Sequence, residues 1–385
     1  MPEFKGSLHS KLPRVRASIF SKMSLLAKKE KALDVSQGYP DFDCPQELKR
    51  LVAEKIQAGN NQYAPMPGVL ELRKMISEKT EKLHRQKYNP ETEITVTSGA
   101  TQAIYTAISA IVNEGDEVII FTPAYDCYQP TVEINGGVPV FVRLQGPDYK
   151  INWEEVKKLV SQRTKMIIIN TPHNPTGTLM TEQDMQELEK ITHNSDIIIL
   201  SDEVYEHVVF DGKRHLSVSS FPNLAARSFV VFSFGKTYHT TGWKIGYCLA
   251  PKQLMKEFQK AHQYTVFSVN HPIQLAYAEF MKEEDHYLQL GTFYQKKRDY
   301  FLKLIKDSRF TFTPSQGSYF QLLDYSKINE ETDVAFAEKL VKQNKISSIP
   351  VSVFYNKPID SHVLRFCFAK KDETLERAAE ILNKL

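Results

Sequence analysis

Beyond about residue 45 the chain alternates between stretches of helical periodicity and short runs that are apolar at nearly every position. Five runs stand out. Ile94-Thr95-Val96-Thr97 leads into Ser98-Gly99-Ala100-Thr101, and Glu117-Val118-Ile119-Ile120-Phe121 into Thr122-Pro123-Ala124-Tyr125. Met166-Ile167-Ile168-Ile169 precedes Asn170-Thr171-Pro172-His173-Asn174-Pro175-Thr176-Gly177, and Ile197-Ile198-Ile199-Leu200 precedes Ser201-Asp202-Glu203-Val204-Tyr205. Phe229-Val230-Val231-Phe232 opens onto Ser233-Phe234-Gly235-Lys236-Thr237. A strand with one wet face alternates apolar and polar residues, so continuous runs predict strands covered on both faces, that is, a mostly parallel sheet between helices. Each run is followed at once by polar or reactive residues. In open α/β sheets the ligand crevice lies outside the carboxyl ends of the strands, so five segments are expected to deliver side chains to one edge.

Outside this region the pattern changes. A short amphipathic helix around Ile19 to Leu26 is followed by an extended piece ending in Ser36-Gln37-Gly38-Tyr39-Pro40. After about residue 285 the pattern predicts a long helix through 294–305, short strands at 309–313 and 318–323, a helix near 335–343, a strand over 364–368 and a final helix. That looser interleaving reads as a smaller α+β unit. The chain of 385 residues suits one large α/β domain with a smaller companion. The expected division is an N-terminal arm with part of the small domain over 1–44, a large domain over 45–285, and a small C-terminal domain over 286–385.

Composition narrows the function classes. Lys+Arg 49 against Asp+Glu 46 gives a net charge of +3 with no polybasic stripe, so neither nucleic acid nor a membrane surface is an expected partner. Cys44, Cys127, Cys248 and Cys367 show no CxxC spacing, which predicts reduced thiols and no metal site. The polar N-terminus lacks the apolar core of a signal peptide, and no window reaches a spanning length of apolar residues. The cytoplasm is the expected location.

The polar segments carry the chemistry. Imine formation needs a free amine, so a useful lysine is one whose charged form is disfavoured by burial or by a second cation. Lys236 stands at the mouth of a buried strand with Ser233 and Gly235 beside it and Lys244 just beyond. Ser98-Gly99-Ala100-Thr101 opens a helix whose unpaired N–H groups welcome an anion; taken alone it reads first as a serine cap with a turn glycine. Ser233 and Lys244 could add a hydroxyl and a charge to one phosphate. Asp202 ends a strand where a lone carboxylate is costly, and a pyridinium nitrogen is a suitable partner. Tyr205 and Asn174 could reach the phenolic oxygen of such a ring, although Asp202 and Tyr205 also read as a helix cap followed by a core tyrosine. Tyr125 could stack on the ring. His173 is assigned no role.

Together these residues resemble the fold-type I pyridoxal-phosphate aminotransferases of class I/II, over nearly the whole chain from Gln37-Gly38-Tyr39-Pro40-Asp41-Phe42 to Arg365. Within that family the chain looks similar to the methionine aminotransferases and the kynurenine/glutamine branch, on Asn61-Gln62-Tyr63-Ala64-Pro65 and Thr237-Tyr238-His239-Thr240-Thr241-Gly242-Trp243-Lys244. The resemblance implies pyridoxal 5'-phosphate (PLP) as cofactor, Lys236 as the residue that forms an imine with it, and Asp202 at its pyridine nitrogen. It implies Asn174 and Tyr205 at the ring oxygen and Tyr125 stacked on the ring. Ala100, Thr101, Ser233 and Lys244 would bind the phosphate, and Tyr63 would reach it from the partner subunit of a homodimer with shared active sites. Arg365, with Gly38 and Asn174, would take the substrate α-carboxylate. Two departures are visible. Lys244 replaces the arginine of many relatives, and Val269 and Asn270 stand where kynurenine-type enzymes place an aromatic residue and a histidine.

The implied reaction is a ping-pong transamination between an amino acid and a 2-oxo acid. Phe20, Tyr39, Val269 and Phe354 are candidates for an apolar side-chain pocket suited to methionine or aromatic amino acids. One alternative is a kynurenine/glutamine aminotransferase with β-lyase activity on cysteine S-conjugates. Another is a non-catalytic regulator on the same fold, for which the short N-terminus leaves no room for an appended DNA-binding segment.

Overall fold

The computed structural model describes residues 2–13, 15, 18–357 and 359–385. A two-residue strand, β1 (Leu33–Asp34), precedes the seven strands of the main sheet: β2 (Ile94–Thr97), β3 (Glu117–Thr122), β4 (Val138–Arg143), β5 (Thr164–Asn170), β6 (Ile198–Asp202), β7 (Ser228–Ser233) and β8 (Gly246–Leu249). Their spatial order is β2-β8-β7-β6-β5-β3-β4. The neighbours from β7 to β4 pair in parallel, while β8 runs antiparallel to both β7 and β2. All five apolar runs are therefore strands of one sheet.

Successive side chains of a strand point to opposite faces, and here both faces are dry. Val118, Ile120, Met166, Ile168, Leu200, Phe229 and Val231 pack on one side with Ile104 of the helix Ala100–Ile111 and Phe258 of Lys252–Thr265. Ile119, Phe121, Ile167, Ile169, Ile199, Val230 and Phe232 pack on the other with Leu72 and Ile76 of the helix Leu70–His84. Burying each such side chain stabilises by roughly 1.5–3 kcal/mol, which is why polar residues are so few within the runs. Two strands of this sheet escaped the sequence reading. β4 carries Pro139 and a partly exposed edge, and β8 is only four residues long.

The second core draws on both ends of the chain. Met23 and Ala27 of the helix Ile19–Glu30 and Val35 pack with Phe301, Phe336, Leu364, Phe366 and Leu375. Its strands are β9 (Phe320–Asp324), β10 (Ile346–Ser347), β11 (Ile349–Pro350) and β12 (Val363–Cys367). They form an antiparallel sheet β11-β12-β9, and β1 pairs in parallel with β10. The strand expected at 309–313 is absent as such; Thr311 makes only an isolated bridge to Asp324, too little pairing for a strand. The segment 318–323 is strand only from Phe320 onward. The helix near 335–343 is Asp333–Lys339, continued by a looser π-type turn over Leu340–Asn344.

The four cysteines form no disulfide. Among the described residues, no helix is long and apolar enough to cross a membrane, and no cluster of His, Cys, Asp or Glu is arranged to hold a metal ion.

Candidate active site

The carboxyl ends of β2, β5, β6 and β7, with Tyr125 from the loop after β3, meet at a cavity of about 260 Å³. From the other side it is lined by Phe20, Gln37, Gly38, Tyr39, Phe320 and Arg365. Of the sequence-predicted site residues, Gly38, Ala100, Thr101, Tyr125, Asn174, Asp202, Tyr205, Ser233, Lys236, Lys244 and Arg365 all line this one space.

Lys236 sits in a single helical turn, Phe234–Thr237, directly after β7. Its Nζ donates to the Gly38 carbonyl at 2.6 Å and lies 5.6 Å from the Tyr205 ring centre. Burial lowers its pKa to about 8, and the Arg365 and Lys244 cations push the same way against Asp202. Asp202, 3% exposed, is the last residue of β6. Burial raises its pKa to about 6, although the Tyr128 hydroxyl donates to its Oδ2 at 2.6 Å and the Val204 N–H to its Oδ1 at 3.3 Å. A buried carboxylate held this way is poised for a cation that would return it to the ionised form.

At the opposite end of the cavity the helix Ala100–Ile111 starts without a side-chain cap and with no acid in its first turn. Its cap residue is Gly99 at φ +78, and a Cβ there would lie 3.1 Å from the Lys244 Nζ. Any side chain at Gly99 would fill the cradle between the free N–H groups and that ammonium. The Thr101 and Tyr125 hydroxyls are 3.4 Å apart.

Arg365 comes from β12 and is 1% exposed. Its guanidinium lies 3.8 Å from the Phe320 ring centre and donates to Asn174 Oδ1 at 2.7 Å and the Ser36 carbonyl at 3.2 Å. Its Nε is buried and makes no hydrogen bond. Burial lowers its pKa to about 10, so it stays cationic at neutral pH. Because Asn174 Oδ1 accepts from Arg365, the Asn174 NH₂ is the end left to donate into the cavity.

Tyr63, expected to serve the partner subunit's site, does not line this cavity: it is 80% exposed and edge-on to Phe267 at 5.2 Å. Other expectations are refined. Val269 is buried in the main core and Phe354 lies behind Arg365 at 5.1 Å, so only Phe20 and Tyr39 of the four proposed pocket residues face the cavity. Asn270 caps the helix His271–Phe280 through the Ile273 N–H. His173 is buried with its pKa lowered to about 4, and its Nδ1 meets the Thr176 hydroxyl at 2.7 Å. The sequence reading missed Tyr128, Asn170, Ser36 and Phe320. Asn170 accepts from the Asn174 N–H at 2.8 Å and donates to the Asp202 carbonyl at 2.8 Å. Its place at the carboxyl end of β5 was the available signal.

The family described as aminotransferase class I and II matches residues 30–382. The chain is 45% identical to a methionine aminotransferase of Escherichia coli over 98% of both chains. It is 34% identical to a kynurenine–oxoglutarate transaminase of Dictyostelium discoideum, over 96% of this chain and 94% of that one. The crystal structure of YbdL from Escherichia coli, identified there with a methionine aminotransferase function, superposes with a TM-score of 0.96 at 45% identity, covering 98% of this chain and 100% of the other.

Proposed function

The chain belongs to the aminotransferase class I and II family, transaminases that work with PLP, and we propose on that premise that its amino donor is methionine or another neutral or aromatic amino acid. The residues present fit the cofactor. The capless helix start with Lys244 suits a phosphate, Asp202 suits a pyridinium, and Lys236 is an enclosed amine whose partner is a carbonyl, not a carboxylate. Ala100, Thr101, Ser233 and Lys244 would hold the phosphate, Asp202 the ring nitrogen, Asn174 and Tyr205 the ring oxygen, and Tyr125 the ring face. Bound there, PLP supplies an electron sink for the α-carbon of an amino acid.

The protein's share is positioning and proton handling. With a pKa of about 8, Lys236 is in part a free base at neutral pH, and its Nζ can take a proton from one carbon and return it to another. Gly38 holds that amine in place through its carbonyl. Arg365 lines the cavity and would offer the remaining N–H donors of its guanidinium to a carboxylate, while Asn174 and Ser36 fix the plane of the fork. Phe20 and Tyr39 offer aromatic surface next to that fork and no charge, which favours an uncharged side chain.

The single observation that carries this reading is that the Lys236 amine, the Asp202 carboxylate and the Arg365 guanidinium face one cavity. Tyr63 is exposed and does not line its own chain's cavity, which supports a homodimer in which it serves the partner's site, and we place the enzyme in the cytoplasm. Turnover of methionine, kynurenine and aspartate with a common 2-oxo acid tests the donor. Methionine should lead. Aspartate turning over faster than methionine would sink the assignment, and kynurenine leading would favour the kynurenine-type alternative.

A further inference from the structure

We propose that Glu206 is a positioning residue for Tyr205 and Asp202, anchoring their segment from the face turned away from the cavity; the proposal rests on the PLP site described above. Along Asp202-Glu203-Val204-Tyr205-Glu206, Asp202 and Tyr205 line the cavity, whereas Glu203 and Glu206 are buried on its reverse side.

Glu206 takes the ammonium of Lys79, which comes from the helix Leu70–His84 and also donates to the Tyr247 hydroxyl at 2.9 Å. His207 Nε2 lies 3.3 Å and His84 Nε2 3.5 Å from the same carboxylate. Burial acts to raise the Glu206 pKa, but its polar partners hold it well below the usual carboxylate range; at neutral pH, where burial keeps His207 uncharged, the Lys79 ammonium is the charge that does so. The Lys79 ammonium rests 5.4 Å from the ring centre of Phe232, on the strand that leads to Lys236. Glu203 is held as firmly, by the Ser201 hydroxyl at 2.7 Å, the Val218 N–H at 3.1 Å and His215 at 2.8 Å.

A buried ion pair is seldom worth more to stability than apolar residues of the same volume, and its better-supported role is to select one arrangement. The place of this pair shows which arrangement. Tyr205 already packs in the second core, and just past Glu206 the chain is tied to it again, where the Ser318 N–H donates to the Val208 carbonyl at 2.9 Å and Val209 bridges Gly317. Glu206, with His207 packed 5.0 Å from Tyr287 of the main core, thus fixes the segment between these two contacts. Without it, any shift of residues 315–320 would reach the Tyr205 ring, which packs 4.9 Å from Tyr319.

The test compares wild type with Glu206→Gln and with the double variant Lys79→Met/Glu206→Met, which removes both charges and remains informative if the single variant fails to fold. Amide exchange of residues 203–208 is followed in the cofactor-free protein, together with melting temperature, PLP affinity, and kcat and KM. The double variant should melt near wild type, yet exchange about tenfold faster at 203–208. It should also bind PLP about tenfold more weakly and lose kcat with KM within twofold. Wild-type exchange and PLP affinity in the double variant would overturn the proposal. So would a general loss of melting temperature with no selective change at 203–208. If wild type itself fails to take up PLP, the cofactor reading falls, whereas the exchange comparison still decides the anchoring.

Discussion

Replacing Asp202 by Asn should reveal how much this protein gives up to keep a carboxylate where a cofactor's cation belongs. Burial raises the Asp202 pKa from an ordinary 3.8 to about 6. Below pH 3.8 the group is neutral in folded and unfolded chains alike and its titration makes no difference. Between 3.8 and 6 the unfolded chain releases the proton while the folded one retains it, so stability is lost as pH rises through that window. A shift of roughly two units at about 1.4 kcal/mol each gives a loss of ~3 kcal/mol, complete a little above pH 6. Asn keeps the shape and can still accept from Tyr128, but it does not titrate. Urea unfolding of cofactor-free wild type and Asp202→Asn at pH 4 and pH 7 measures the difference. The variant should gain about 2.4 kcal/mol on wild type between those two pH values, part of the loss having already occurred at pH 4. Tyr128→Phe removes the hydrogen bond that lowers the Asp202 pKa and should extend the window upward. With PLP bound, a pyridinium at Asp202 should reverse the order, making wild type the more stable protein. An unchanged gap between wild type and Asp202→Asn at the two pH values would refute the assignment of a costly, cation-seeking carboxylate.

The other consequences are more local. Lys236→Ala should abolish turnover and leave no borohydride-fixed PLP at position 236; undiminished turnover without added amine would remove Lys236 from the chemistry. In cofactor-free wild type, the rate of covalent PLP attachment should rise with pH and level off above about 8, following the free amine, whereas an ordinary lysine would keep gaining beyond pH 10. Arg365→Lys replaces the planar fork by a point charge and should raise KM for every amino acid about ten- to a hundredfold; an unchanged KM would take Arg365 out of the carboxylate site. Gly99→Ala puts a Cβ at 3.1 Å from the Lys244 Nζ on a backbone at φ +78 and should weaken PLP binding roughly tenfold, read by absorbance titration.

Much of this site was legible before any coordinates. The five apolar runs are strands because their apolar residues have dry neighbours on both faces of the sheet, a demand that writes itself into consecutive positions. Strand ends deliver side chains to one edge, so Ala100, Thr101, Tyr125, Asn174, Asp202, Ser233 and Lys236 could be grouped by counting from where each run stops. Arg365 entered by family resemblance alone, since nothing in its neighbourhood marks it as a site residue.

What the amino-acid order determined by itself, then, is the material of local rules: strands, the turns after them and the kind of chemistry gathered at one edge. Which distant groups complete the site was decided only by packing. Ser36 reaches Arg365 across 329 positions, and the Gly38 carbonyl reaches Lys236 across 198. Tyr128 reaches Asp202 across 74 positions, and Lys79 reaches Glu206 across 127. No periodicity records such pairs, because they arise when two cores close on one another and a buried polar group must take whichever partner the fold brings within reach.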